Sequence, residues 1–370
     1  MSEPISPLDE VVNPTGSGEG IALWHRVADF IRNGVGRFED LAWDVFSYQF
    51  RSNPTYRAWC CHLGWNDDMC AARCDWRSIP ALPVDAFKWG RVQTNGVSEP
   101  GAPLTFRTSG TTGAAQGIHW VSTPHLYRLS AVEGFRSRYG PPGSGGAVLM
   151  GLLPGYLERP DSSLVHMVHM LRSSGWKEPD ASPEEGFHLH DFEALFGAME
   201  RVMDGGQRPV LIGVTWALVD AAEAWRASGR PPLNDRAEVA VTGGMKGNRE
   251  EWVSARVRRA LMDGFGLTRV GGEYGMTELL SQAWSAADGA YQTPPWMRIR
   301  LRRADDPLSL ETSGSTGGVD VVDLANLGSC AFLSTQDLAR PLTGKGGVPS
   351  FDLLGRFDRS EVRGCNLMVQ

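Results

Sequence analysis

One segment rich in glycine and hydroxyl side chains has the composition of a phosphate-binding loop. It runs from Thr108 to Gly117 and reads TSGTTGAAQG. Glycines let successive backbone N–H groups turn toward one point, and the hydroxyls add further hydrogen-bond donors. The flanking residues 104–106 and 118–121 have the pattern of strands. The segment therefore predicts a phosphate site, with a flexible turn as the alternative.

This loop differs from the phosphate loop of the common nucleoside triphosphatases. No Gly-Lys-Ser/Thr sequence follows it, and it lies between two strands rather than between a strand and a helix. Residues 312–318, TSGSTGG, have nearly the same composition. They precede a strand-like run at 319–324, so we expect them to form a simple turn.

Three further motifs follow the loop in order along the chain. They are YGMTE at 274–278, TQDL at 335–338, and GRFD at 355–358 with RG at 363–364. Together with the loop they resemble the adenylate-forming superfamily of acyl-CoA synthetases and adenylation domains. The segments IPALPVDAFK at 79–88, TGGMK at 242–246 and PPW at 294–296 are similar to blocks of the LuxE-like acyl-protein synthetases. Phenylacetate-CoA ligase is a more distant neighbour, and the likeness runs from about residue 40 to the end.

The resemblance implies a site for ATP or AMP with Mg²⁺. The residues it places on the phosphates are Thr108, Ser109, Gly110, Thr111, Thr112, Gly113 and Thr277. Those it places at the adenine are Gly243, Gly244, Gly272 and Tyr274. Asp337 is expected to accept hydrogen bonds from the ribose, with Arg356 beside it, and Glu278 to bind Mg²⁺. The alternative for Glu278 is the first turn of a helix that begins near Thr277, where a carboxylate is also stabilised.

The chain departs from the superfamily pattern at its lysines. Gln116 stands where a lysine is usual, and the sequence ends six residues after Gly364, without the C-terminal domain that carries a catalytic lysine in larger relatives. Lys246 is a candidate substitute, and His119 is the histidine best placed to act. Cys365 matches the cysteine that accepts the acyl group in acyl-protein synthetases; the alternative is that it only fills a small apolar slot.

The implied reaction is ATP-dependent activation of a carboxylic acid as an acyl-adenylate, followed by transfer to a thiol. The acceptor is Cys365, a carrier protein or CoA. Because two lysines are missing, an acyltransferase that moves an acyl group between thioesters stays open, as does a non-catalytic partner of a reductase or carrier complex. The acyl pocket is expected after strand-like runs, at 151–156 or 213–216, where core packing explains the residues equally well.

Composition excludes several other classes of protein. The 370 residues carry a formal net charge of −7, which argues against nucleic-acid binding. No apolar run is long enough to span a membrane and no secretory signal opens the chain, so we expect a cytoplasmic protein. Cys60, Cys61, His62, Cys70 and Cys74 invite a zinc interpretation, but they lack paired C-x2-C spacing.

The hydrophobic pattern predicts an α/β fold, namely the large N-terminal domain of the adenylate-forming fold without a full C-terminal domain. Helical spacing dominates residues 21–76, and later strand-like runs at 147–153, 210–213 and 237–241 alternate with helical runs at 127–139, 216–228 and 249–265. We expect a flexible tail at 1–20 and a helical section at 21–100. An α/β body that binds nucleotide and acyl group would follow at 101–354, and a hinge-like tail with Cys365 at 355–370.

Overall fold

The structure is a computed structural model, and it describes residues 12–101, 103–108, 115–143, 145–155, 157–243, 254–285, 289–343 and 349–357. The helices of these ranges are α1 Gly18–Asn33, α2 Phe38–Ser52, α3 Pro54–His62, α4 Asp67–Ala71, α5 Ala86–Trp89, α6 Pro124–Tyr139, α7 Ser163–Ser173, α8 Phe192–Asp204, α9 Thr215–Ala227 and α10 Ser254–Phe265. The first strands are β1 Thr15–Gly16, β2 Leu82–Pro83, β3 Val97–Ser98, β4 Leu104–Arg107, β5 Ile118–Val121, β6 Ala147–Leu152, β7 Arg208–Val214 and β8 Glu238–Thr242. They are followed by β9 Gly271–Tyr274, β10 Ala283–Ser285, β11 Tyr291–Gln292, β12 Met297–Arg302, β13 Gly317–Asp323, β14 Phe332–Thr343 and β15 Pro349–Arg356.

One large sheet organises the molecule, in the order β12-β13-β14-β15-β11-β10-β9-β8-β7-β6. The strands β6 to β9 are parallel, whereas those from β9 to β12 along this order pair antiparallel. Strand β2 adds to β14 in parallel. Because β6 to β9 are parallel, their carboxyl ends share one edge, which is where ligands of α/β sheets usually bind.

The parallel half of the sheet is covered by helices on both faces. Val148, Met150 and Leu152 of β6 pack with α8, α9 and α10, while Ala147 and Leu149 pack into the cluster that contains α6 and α7. This alternation is the two-residue period of a strand that is buried on both faces. The mixed α/β architecture confirms the predicted fold class.

The N-terminal helices are tied to the sheet by buried side-chain amides. Gln49 of α2 donates to the carbonyls of Asn326 and Leu327, both at 3.0 Å, and accepts from the N–H of Ala331. Asn53, at the end of α2, donates to the carbonyl of Ser329 at 2.9 Å. These bonds fix the loop between β13 and β14, which supports the candidate site described below.

Residues 15–20 were expected to belong to a flexible tail, but β1 and the start of α1 lie within them. Helix α1 begins at Gly18 because the Ser17 hydroxyl accepts from the N–H of Gly20, and Thr15–Gly16 pairs with β3. The sequence pattern predicted order only from residue 21, since glycine, serine and proline dominate before it. Among the described helices, none has the length and apolar character needed to cross a bilayer.

Candidate functional site

The glycine-rich loop is carried by a β-hairpin of β4 and β5. Phe106 is opposite His119 in the pairing, and the neck of the loop is closed by Thr108 and Gly117. The N–H of Thr108 donates to the carbonyl of Gly117 at 3.0 Å, and the N–H of Gly117 donates to the Thr108 hydroxyl at 2.8 Å. The predicted phosphate residues Ser109, Gly110, Thr111, Thr112 and Gly113 lie outside the described residues.

A buried histidine brings this hairpin against the YGMTE motif. The Nδ1 atom of His119 lies 2.7 Å from the carbonyl oxygen of Thr277. Because a carbonyl only accepts, Nδ1 carries the proton and donates. Burial lowers the pKa of His119 to about 4, so the ring is neutral near pH 7. The hairpin that carries the loop and the Thr277–Glu278 segment are therefore in direct contact, and His119 links them.

The Thr277–Glu278 segment is a turn, so the alternative that placed Glu278 in the first turn of a helix is wrong. Buried Asp323 accepts from the N–H groups of Leu280 and Ser281, at 2.8 and 2.9 Å, and from the Ser281 hydroxyl at 2.5 Å. These donors are thereby removed from any helical ladder. Asn326 donates to the carbonyl of Glu278 at 2.7 Å and completes the support of the turn.

The Glu278 carboxyl group is buried but lies among charges. Its residue is 8% exposed, and burial raises its pKa to about 7, opposed by the nearby Arg356 and Lys88. A carboxylate oxygen is a hard ligand that suits Mg²⁺, which commonly binds one or two carboxylates plus phosphate oxygens. In the part of the chain that the structure describes, no three potential ligands cluster.

Asp337 lies at the centre of a three-residue network on β14. The Tyr274 hydroxyl donates to Oδ2 at 3.0 Å, and Nε of Arg356 donates to Oδ1 at 3.0 Å. The Tyr274 ring is buried edge-on against Phe351, with centroids 5.6 Å apart. Both carboxylate oxygens are thus oriented by partners from β9 and β15. The expected contacts of these residues with ribose and adenine stay predictions.

The predicted adenine-site glycines have different surroundings. Gly243 has φ +66°, which favours glycine, and its carbonyl accepts from the Thr215 hydroxyl at 2.9 Å. Among the residues that the structure describes, none would come within 4 Å of a Cβ at Gly243. A Cβ at Gly272 would lie 2.3 Å from the Tyr291 hydroxyl, so a protein side chain makes the close approach there. Gly244 lies outside the described residues.

Each of the two runs considered for the acyl pocket contains a closely packed glycine. A Cβ at Gly213 would lie 2.7 Å from Cβ of Leu152, and one at Gly151 would lie 3.3 Å from the Phe187 ring. A more polar feature lies at the end of β9, where Glu273 accepts from the Thr242 hydroxyl at 2.5 Å. Burial raises the pKa of Glu273 to about 7.

Of the three residues predicted to take part in catalysis, the structure describes one. His119 is fully buried in the contact with Thr277, whereas Lys246 and Cys365 lie outside the described residues. Sequence reasoning missed Asp323 and Asn326, which hold the turn. Asp323 ends strand β13 and Asn326 lies three residues beyond it, and no local pattern marks their bonds to the turn.

Comparison with known proteins identifies the fold. No protein-family model and no curated protein sequence matches the chain. Among solved structures, 2-hydroxyisobutyryl-CoA ligase in complex with 2-HIB-AMP and CoA in the thioesterification state is similar, with a TM-score of 0.60 and 14% identity over 87% of this chain and 68% of that one. Its open conformation gives a TM-score of 0.55 and 12% identity over 87% and 70%. The chain has the adenylate-forming fold. At these identities the likeness is one of fold alone.

Within the adenylate-forming fold, the described candidate residues come from four separate parts of the chain. The hairpin supplies Thr108 and His119, the segment after β9 supplies Glu278, and the last two strands supply Asp337 and Arg356. Electrostatic influence of Arg356 on Glu278 connects the last two groups. The hydrogen bonds described above therefore link the hairpin to the Glu278 turn, and the last two strands to each other and to Tyr274 of β9.

Proposed function

We propose that the protein activates a carboxylic acid with ATP and transfers the acyl group to a thiol, as an acyl-protein synthetase of the LuxE-like type in the cytoplasm. A carboxylate oxygen of the acid attacks the α-phosphorus of ATP. The bond from that phosphorus to the bridging oxygen breaks, and pyrophosphate leaves. A thiolate then attacks the acyl carbon and AMP departs, which leaves a thioester.

The observation that carries this proposal is the 2.7 Å contact between His119 and Thr277. It joins the hairpin of the glycine-rich loop to the segment with the buried Glu278 carboxyl group. We take this contact as support for a shared cleft, in which donors that suit phosphate would face a carboxylate that suits Mg²⁺. The 2-hydroxyisobutyryl-CoA ligase structures, which contain an acyl-AMP and CoA, share the fold and add to this support.

We assign roles on the same basis. Thr108 and Thr277, with the loop residues between Thr108 and Gly117, bind the phosphates, and Glu278 holds Mg²⁺. That cation would neutralise charge on the phosphates during attack. Asp337, oriented by Tyr274 and Arg356, binds the ribose hydroxyls, and the space beside Gly243 takes the adenine. His119 keeps the two sides of the cleft in register and does not move a proton.

ATP–pyrophosphate exchange tests the proposal directly. The purified chain is incubated with ATP, Mg²⁺, labelled pyrophosphate and a panel of fatty, aromatic, amino and short hydroxy acids. We expect exchange that depends on one class of acid. Absence of exchange with every acid, together with acyl transfer from an acyl-CoA donor, would instead establish the thioester acyltransferase. Absence of both activities would leave the non-catalytic partner.

Intact-mass analysis identifies the acceptor. After incubation with ATP, Mg²⁺ and the active acid, we expect a mass increase equal to the acyl group that is absent in Cys365→Ser. Cys61→Ser is the matched control, because Cys61 is an exposed cysteine on α3. If the wild-type chain forms the adenylate but no adduct, the acceptor is CoA or a carrier protein, and Cys365 has no acceptor role.

A further inference from the structure

Helix α5 is a short segment that is hydrogen-bonded to β14, the strand that carries Asp337. The N–H of Val84 donates to the carbonyl of Ser334 at 3.0 Å, and Nε2 of Gln336 donates to Oδ2 of Asp85 at 2.6 Å. The partners on β14 end one residue before Asp337. The start of α5 therefore lies beside the part of β14 that leads to Asp337.

The other side of α5 contacts the neck of the glycine-rich loop. The Phe87 ring packs edge-on against His119, with centroids 5.4 Å apart. A Cβ at Gly117 would lie 3.4 Å from Cβ of Phe87. Because Lys88 follows Phe87 directly, its backbone is held between the loop neck and β14.

The Lys88 ammonium group makes a weak ion pair that it can exchange for a stronger one. It pairs with Asp85 within the same helical turn, and its side chain is 29% exposed. A partly exposed ion pair within one helical turn contributes little to the free energy of folding. If the ammonium group leaves, Asp85 keeps its hydrogen bond from Gln336.

We infer that Lys88 binds the phosphates of the nucleotide and supplies the positive charge that the loop lacks at Gln116. This inference rests on the proposed function, since it requires ATP to occupy the cleft. A bound triphosphate offers Lys88 charge-assisted hydrogen bonds that are stronger than its exposed pair with Asp85. Arg356 is already engaged with Asp337.

Amine labelling tests this without altering the protein. The chain has four lysines, Lys88, Lys177, Lys246 and Lys345. Reductive dimethylation is followed by peptide mass spectrometry with MgATP, with adenosine and without ligand. We expect MgATP, but not adenosine, to slow labelling of Lys88 by at least about 5-fold. Lys177 serves as the internal control, because it is bonded to the carbonyl of Ala181, on another part of the surface.

Binding measurements on variants give the second arm. Calorimetry should show that Lys88→Met weakens ATP about 10-fold or more and leaves adenosine unchanged, since a hydrogen bond between charged groups is lost. Lys88→Arg should keep most of the affinity, and Lys177→Met should match the wild type. If the wild type binds ATP while Lys88 is labelled at the same rate and Lys88→Met binds equally well, the inference is wrong. If the wild type binds no ATP, it is the proposed function that fails.

Discussion

Two segments of nearly the same composition have different surroundings in this molecule. Residues 108–117 join the two strands of a hairpin whose inner residue, His119, contacts the turn after β9. Residues 312–318 lead into the buried strand β13 through an exposed stretch at 312–316, where the N–H of Ser313 bonds to Glu311 at 2.6 Å. The described bonds of the second segment are thus local ones.

The comparison teaches that flanking contacts, rather than glycine and hydroxyl content, distinguish a candidate ligand loop from a surface turn. The first segment has the Thr277–Glu278 turn bonded to its hairpin and α5 against its neck. The second faces solvent at residues 313–316. If the first segment binds nucleotide and the second does not, substitutions at matched positions should change ATP binding only in the first. Substitutions nearer to Glu278 should have the larger effects on activity.

The largest effect is expected from Glu278→Gln, which keeps the shape of the side chain and removes its charge. We expect the adenylation rate to fall on the order of 100-fold, because the cation loses its protein ligand. Glu99→Gln is the matched control, since burial raises the pKa of Glu99 also to about 7. Glu99 caps α6 away from the cleft, with bonds from Trp24 and Leu126.

The same variant carries a pH signature. With its pKa raised to about 7, Glu278 gains its charge as pH rises from 6 to 8, so metal-dependent adenylation by the wild type should increase over that range. Glu278→Gln should lose this rise, whereas Glu99→Gln should keep it. A Glu278→Gln enzyme with wild-type rate and pH profile would show that the carboxyl group across the loop has no part in the reaction.

Much of the fold was predictable from the sequence, because local signals agree with it. The strands beside Thr108–Gly117, the parallel runs such as 210–213, and the alternation of helices and strands were all apparent from periodicity. The order of the motifs also indicated which segments should meet. The turn at Thr277–Glu278 was harder, because its Thr-Glu sequence before two leucines also suits the start of a helix.

The support of the site was not predictable, because its bonds link distant parts of the chain. Asp323 takes the N–H groups of Leu280 and Ser281, more than forty positions earlier. Gln49 holds the carbonyl of Asn326 across 277 positions. No local pattern marks such a bond, since the polar residue is explained equally well as a strand end or a helix surface. The position of Lys88 depends on contacts of the same kind.

The next prediction tests the contact between the hairpin and the turn by changing His119. In His119→Leu the bond to Thr277 is lost, and we expect about a 10-fold lower kcat with a smaller change in KM for ATP, because the cleft loses its register. His119→Asn keeps an amide donor near the Nδ1 position and should recover most of the rate. If His119 were instead the catalytic base, both variants would be equally inactive.

The stability of these variants should also depend on pH. The folded-state pKa of His119, about 4, lies below the usual 6.5, so the unfolded chain binds the proton more readily. Stability linked to His119 is therefore present above pH 6.5 and lost as pH falls toward 4, by about 3 kcal/mol at most. Chemical denaturation at pH 7.5 and 4.5 should show a smaller loss for His119→Leu than for the wild type.

The smallest effect is the most direct comparison of the two segments. Thr108→Val removes the hydroxyl that accepts from the N–H of Gly117, and Thr312→Val makes the same change before β13. Losing one such hydrogen bond costs about 1 kcal/mol, so we expect Thr108→Val to bind ATP roughly 5-fold more weakly. We expect Thr312→Val to bind ATP as tightly as the wild type. Adenosine binding should be unchanged in both, because the hydroxyl lies at the phosphate end. Equal weakening in the two variants would mean that glycine-rich composition, and not the contacts of the hairpin, sets nucleotide affinity.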